Sequence, residues 1–200
     1  LAAAYTFILS ALKMPSVAGS SSHLTGTTLG TLTIGPMAMP LVGAIVLLFQ
    51  ALLLAHGGIS TLGANIFSLS IAGPFVAYAL YRLLTSARLP KNLVIFIATF
   101  CGSMATYIVT SFQLAVVYPD TVTGVMGAAW KFLGIFAITQ VPLSIIEGIL
   151  TVIVLRLLEK SQAKMATSVE ASSTQSSTKS SLRPQFIWFS ILAVVCLALP

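Results

Sequence analysis

"LVGAIVLLFQALLLA", residues 41–55, sets the class of this chain. Its apolar residues follow one another without the alternation that a barrel strand needs to face lipid on one side and water on the other. Gln50 is the one strongly polar side chain in the run. Helix is the form in which such a segment satisfies its own backbone hydrogen bonds inside hydrocarbon. Further apolar stretches stand at 1–12, 62–84, 92–117 and 132–156, and another opens at 186. A shorter candidate rich in Gly and Thr, "GTTLGTLTIGPMAM", occupies 26–39. Hydrophobic residues make up 57% of the 200 and charged residues only 7%, against roughly 25% charged in a soluble domain. The expected fold is all-α, a polytopic membrane helical bundle with six helices in 1–158, followed by a separate C-terminal helix.

Charge orients the bundle. The formal net charge is +6, but the basic residues cluster at helix ends and are not interleaved with aromatics, so nucleic acid is not an expected partner. Arg82, Arg88 and Lys91 share one short connection, and Arg156, Lys160, Lys164, Lys179 and Arg183 another. Both are expected on the cytoplasmic side of the lipid bilayer. Counting crossings back from Arg82 puts the turn "HGGIST", 56–61, outside. If 26–39 also crosses, 13–25 lies outside as well, and His23 and His56 share the extracytoplasmic side. Lys13 runs against this orientation.

The organisation read from composition has three parts. Residues 1–160 form the transmembrane domain, and its start inside an apolar segment reads as an N-terminal truncation. Residues 161–183, "SQAKMATSVEASSTQSSTKSSLR", lack an apolar stripe and read as a disordered cytoplasmic Ser/Thr-rich linker. Residues 184–200 read as the start of a further transmembrane helix, with Trp188 near the interface. Cys101 and Cys196 fall in different apolar segments and are expected as buried small hydrophobes.

Few side chains can carry chemistry. Glu147, in "TQVPLSIIEGILT" (139–151), is a carboxylate inside an apolar helix and needs pairing or hydration there. It reads either as a functional group (a proton relay, a cation ligand or a contact with a partner subunit) or as a structural carboxylate bonded to neighbouring helices or loop amides. Pro142 nearby frees a carbonyl and implies local polar rearrangement. Gln50 and Gln140 read as interhelical hydrogen-bond partners. His23 and His56 each stand in a Gly-rich turn and are candidate ligands for Co, Ni, Cu or Zn, or structural imidazoles. Asn65 is a supporting group for such a site or an ordinary helix hydrogen bond. No Walker A run, H-E-x-x-H or G-x-S-x-G is present, so ATP hydrolysis, zinc-metalloprotease and serine-hydrolase chemistry are not expected of this chain. An intramembrane enzyme built on Glu147 and the histidines is disfavoured by parity, which puts Glu147 in the cytoplasmic half, away from His23. A scaffold that binds nothing stays open as an alternative.

Residues 10–84, with "SSHLTG" at 21–26 and "LLLAHGGISTLGAN" at 52–65, resemble the CbiM/NikM family, and 139–151 resembles a later signature of it. These are the substrate-capture components of energy-coupling-factor importers for Co(2+) and Ni(2+). The resemblance covers about 1–158. It implies seven helices in the complete protein, the first missing here, in the bacterial or archaeal cell (inner) membrane. It also implies a near-planar set of nitrogens that a Met-His start supplies and the histidine of an S-H-x-T-G loop completes. That histidine maps to His23, with Ser22, Thr25, His56 and Asn65 as supporting or structural positions. Implied partners are a small two-helix membrane subunit, a transmembrane coupling protein and a cytoplasmic ATPase. The helix opening at 186 resembles the small subunit fused in some members. Cobalt is slightly favoured over nickel, and no cofactor is expected.

Overall fold

The computed structural model describes residues 2–11, 13–15, 21–54 and 57–175. The chain divides into two compact units, Leu1–Arg156 and Leu157–Pro200. The first contains α1 (Ala2–Ala11), a short ribbon of β1 (Lys13–Pro15) and β2 (Ser21–His23), α2 (Thr27–Ile34) and α3 (Met39–Leu53). Three long helical segments follow: α4 (Ile59–Ser86), α5 (Lys91–Val117) and α6, which starts at Gly124 and extends to Gln175. Among the described residues, α4, α5 and the Gly124–Met165 part of α6 are long and apolar enough to cross a membrane.

The helical bundle stands as expected, with one small antiparallel ribbon added. Its strands pair Lys13 with His23, Met14 with Ser22 and Pro15 with Ser21. The stretch read as a candidate crossing at 26–39 differs more. Before α3 begins at Met39, only Thr27–Ile34 is helical there, about 12 Å of helix against a hydrocarbon core of roughly 30 Å. Gly26 (φ 63) starts this helix, and Gly35 (φ 93) ends it before Pro36. The parity argument for His23 and His56 sharing one side required a full helical crossing here, so it loses that support.

Two hydrogen bonds define the ends of the bundle. Arg156 Nε donates to Asn92 Oδ1 (2.8 Å), which brings the start of α5 and the basic end of the apolar α6 segment together. At the other end Gln113 Nε2 donates to the Ala64 carbonyl (3.2 Å). Small residues let the helices approach closely, as expected for packing in lipid. A Cβ added at Gly43 of α3 would lie 1.8 Å from Ser70 Oγ of α4, and one at Gly102 of α5 would lie 2.8 Å from Ala77 Cβ. Ser70 stands in a wide π-type turn, Ile66–Ala72, within α4. Such wide turns are uncommon and shift the side-chain register of the helix that carries them.

One further expectation changes. Helix α6, with Pro142 inside it, continues to Gln175, so 161–175 is helix where an irregular linker was expected. The physical reason is that extending an existing helix avoids the nucleation cost, and Gln162, Ala163, Lys164 and Met165 are good helix formers. Residues 176–183 of the expected linker, the expected helix at 184–200 and Cys196 lie outside the described residues. Cys101 is a half-buried free thiol.

Candidate functional site

The centre of the first unit is polar, and Glu147 organises it. This side chain is 1% exposed on α6. Its Oε1 accepts a hydrogen bond from the Thr25 hydroxyl and one from the Gly26 backbone N–H (2.8 Å). Its Oε2 accepts from the Thr25 backbone N–H (3.1 Å) and from the Ser103 hydroxyl of α5 (3.4 Å). A carboxylate offers about four lone-pair positions, so these four donors complete its acceptor capacity. Successive backbone N–H groups that converge on one anion form a small nest. Four neutral donors thus solvate the charge that hydrocarbon would otherwise penalise.

The donors are themselves held. Ser144 donates to Ser103 Oγ (2.8 Å), freeing the Ser103 proton for Glu147. The hydroxyls of Thr27 and Thr25 stand 3.2 Å apart. Since the Thr25 proton goes to Glu147, Thr27 is the donor in that pair. Thr6 of α1 donates to the Gly26 carbonyl (3.5 Å). Leu24 is buried with Leu9 of α1 and Leu143 of α6, and Tyr5 and Leu150 pack against this cluster. The turn 24–26 is therefore gripped by α1 and α6, with Ser103 of α5 bracing the Glu147 carboxylate that holds it.

Depth follows from chain position. Ser103 is twelve residues into α5 from Lys91, and Glu147 lies nine residues before Arg156. At about 1.5 Å per residue both sit roughly 14–18 Å from the basic end, near the middle of a core about 30 Å thick. Thr25 and Gly26 are at the same depth, because they bond Glu147 directly. Irregular backbone is tolerated there only because it is buried in protein.

This arrangement overturns one expectation. Glu147 is not remote from the His23 loop: it bonds Thr25, two residues after His23. The proximity does not revive the enzyme reading, because the carboxylate's acceptor positions are already filled by loop and helix donors. The bonds Glu147 makes are to loop amides and hydroxyls.

His23 ends β2 and is half-buried. Its Nδ1 lies 3.0 Å from the Leu24 carbonyl oxygen. A carbonyl only accepts, so Nδ1 carries the proton, and Nε2 is the basic nitrogen of the neutral ring. An imidazole whose other N–H is held by a backbone carbonyl is the usual arrangement for a metal ligand. Among the described residues, no group of three or more His, Cys, Asp or Glu side chains is placed to hold a metal ion.

The other candidates separate. Ser22 pairs with Met14 through the strand register. Asn65 belongs to a different turn: its Nδ2 donates to Thr61 Oγ1 (3.5 Å), and Thr61 donates to the Gly57 carbonyl (2.9 Å). Gly57 (φ 79) must be glycine for conformation and also for space, since an added Cβ would lie 2.7 Å from Asn65 Nδ2. His56 lies outside the described residues. Sequence reading missed Ser103, Ser144, Thr6 and Gly26. The hydroxyl residues look like ordinary small residues in apolar helices, and the available signal was Glu147 itself, whose charge demands several donors.

The chain is similar to known proteins over most of its length. Residues 1–165 match the family sequence model described as CbiM, cobalt uptake substrate-specific transmembrane region. The chain is 59% identical over 158 residues to the cobalt transport protein CbiM of Moorella thermoacetica, covering 79% of this chain and 61% of that protein. It is 57% identical over 158 residues to cobalt transport protein CbiM 1 of Pelobacter propionicus, covering 79% of this chain and 70% of that one. The chain thus spans about three fifths to seven tenths of the length of these relatives. Two crystal structures share the fold. A truncated transition metal transporter has a TM-score of 0.68 at 30% identity, covering 80% of this chain and 78% of that one. A transition metal transporter has a TM-score of 0.69 at 29% identity, covering 80% and 73%.

Proposed function

The chain belongs to the CbiM family of cobalt-uptake transmembrane regions, and from that premise we propose that it captures a divalent metal ion for import. Cobalt is the favoured substrate, in keeping with the names of its relatives, and nickel is the alternative. The continuous match over residues 1–165 carries this reading. His23 is the ligand within the described residues, presenting Nε2 to the ion while Nδ1–H is held by Leu24. The remaining nitrogen donors come from the Met-His start that the family resemblance implies for the full-length protein. Neutral imidazole and amine nitrogens suit both Co(2+) and Ni(2+), so the ligand set alone does not separate the two ions.

Capture takes place from the extracytoplasmic side, at the turn following the β1–β2 ribbon. The chain is a transport subunit and not an enzyme. Partners supply the energy: a small membrane subunit, a transmembrane coupling protein and a cytoplasmic ATPase, in a bacterial or archaeal inner membrane. The test is uptake of radiolabelled Co(2+) by cells that express the full-length protein with these partners. His23→Ala is expected to abolish uptake while leaving the protein in the membrane. Unchanged uptake would remove His23 from the ligand set and leave a scaffold role standing.

A further inference from the structure

We propose that Glu147 is the positioning residue of the capture turn: from a fixed place on α6, its carboxylate sets where the His23 imidazole stands. The proposal rests on the reading of His23 as a metal ligand. Three of the four donors to Glu147 belong to two consecutive loop residues, Thr25 and Gly26, and only Ser103 comes from a helix. The His23 ring is oriented by the Leu24 carbonyl, which shares a peptide unit with the Thr25 N–H that donates to Glu147. One rigid peptide plane therefore carries both the hydrogen bond that orients the imidazole and the one that anchors the turn. On its other side His23 is held in register against Lys13. The imidazole thus stands between a paired strand and an anchored turn.

The chemistry of the donors explains why a carboxylate is needed. Each oxygen of Glu147 receives one hydroxyl and one backbone N–H. Hydroxyls can rotate to accept, but an N–H cannot. In Glu147→Gln, either orientation of the amide turns its NH2 toward a backbone N–H of the turn. The loop then has to leave its position or bury two opposed donors. A neutral residue of the same size is therefore not a silent replacement.

The experiment uses the purified full-length protein in detergent, Co(2+) titration calorimetry, and the metal-free thermal midpoint. Glu147→Gln is expected to weaken Co(2+) binding by about tenfold or more, the usual effect of removing a group that orients a ligand. Thr25→Val, which deletes one hydroxyl donor and keeps the backbone, weakens binding by more than any fall in the metal-free midpoint accounts for. Thr25→Ser restores the hydroxyl and the affinity. If Glu147→Gln does not fold, the Thr25 pair decides. Parental affinity in both Glu147→Gln and Thr25→Val, with binding abolished in His23→Ala, overturns the positioning role and leaves the ligand assignment intact. Parental binding in His23→Ala as well removes the ligand assignment itself. A Thr25→Val defect in which affinity falls only as far as the metal-free midpoint does would assign the contact to fold stability, and would overturn the proposal too.

Discussion

Gly26 is where backbone conformation and packing converge, and Gly26→Ala puts a number on both. Its φ of 63° lies in the left-handed region, which costs a residue with a Cβ about 1–2 kcal/mol. The new methyl would also stand 3.1 Å from Leu9 Cδ1 and 3.2 Å from Thr6 Cα. The first neighbour is a side-chain end that can yield, but the second is helix backbone, so crowding adds about 1 kcal/mol. Together about 2–3 kcal/mol falls on a turn whose Gly26 N–H must still reach Glu147. If the turn releases to relieve it, the competent conformation drops by roughly 30- to 150-fold at 1.4 kcal/mol per decade, and apparent metal affinity falls with it. Titration calorimetry with Co(2+) on the full-length protein reads the loss. Hydrogen exchange at the Thr25 and Gly26 amides reads the release without metal. Gly26→Asn separates the two terms, because Asn tolerates the left-handed region but keeps the crowding. Parental affinity and parental amide protection in Gly26→Ala would refute the claim that this turn is fixed by its conformation and its contacts.

Three other outcomes are expected. His23→Ala abolishes Co(2+) uptake, as measured with radiolabelled ion. Gly43→Leu destabilises the bundle, because even a Cβ would lie 1.8 Å from Ser70 Oγ; a thermal midpoint lowered by several degrees checks it, as overpacking typically costs about 1–3 kcal/mol. Asp120, in the connection before α6, pairs with Lys131 and accepts from the N–H groups of Thr123 and Val122 (2.9 and 3.0 Å). The Lys131 contact above all, and then those two N–H bonds, hold its carboxyl well below the usual carboxylate range. A depressed folded value means that the local contribution is present above the ordinary carboxylate range near pH 4 and is lost as the pH falls toward the folded value. Nuclear magnetic resonance titration of Asp120 checks it, and an ordinary midpoint near pH 4 would contradict the pairing.

Membrane class, the long helices and the clustering of bases near helix ends were legible in the chain, because each is a property of composition along a single segment. A run such as 92–117 must be helical in lipid whatever surrounds it, and the structure has helix at Lys91–Val117. The extent of α2 was not legible in the same way. The Gly- and Thr-rich stretch 26–39 has the apolarity of a crossing, but its length is cut by Gly35 and its start is set by Gly26, which is held from α1 and α6. Likewise "SSHLTG" could be seen as an unusual polar turn, and its likeness to a metal-capture loop could be seen as well.

The depth of that turn belongs to the tertiary structure. Linear counting assigns a polar loop to the nearest aqueous side, since it counts segments and has no means of counting donors. Glu147 and Thr25 are 122 positions apart in the chain, and each has a reason to avoid the membrane interior alone. Only when α6 and the turn are packed together do the buried carboxylate and the buried N–H groups satisfy one another. The charge alone announced that Glu147 needed partners; packing chose the turn two residues past His23 to supply them.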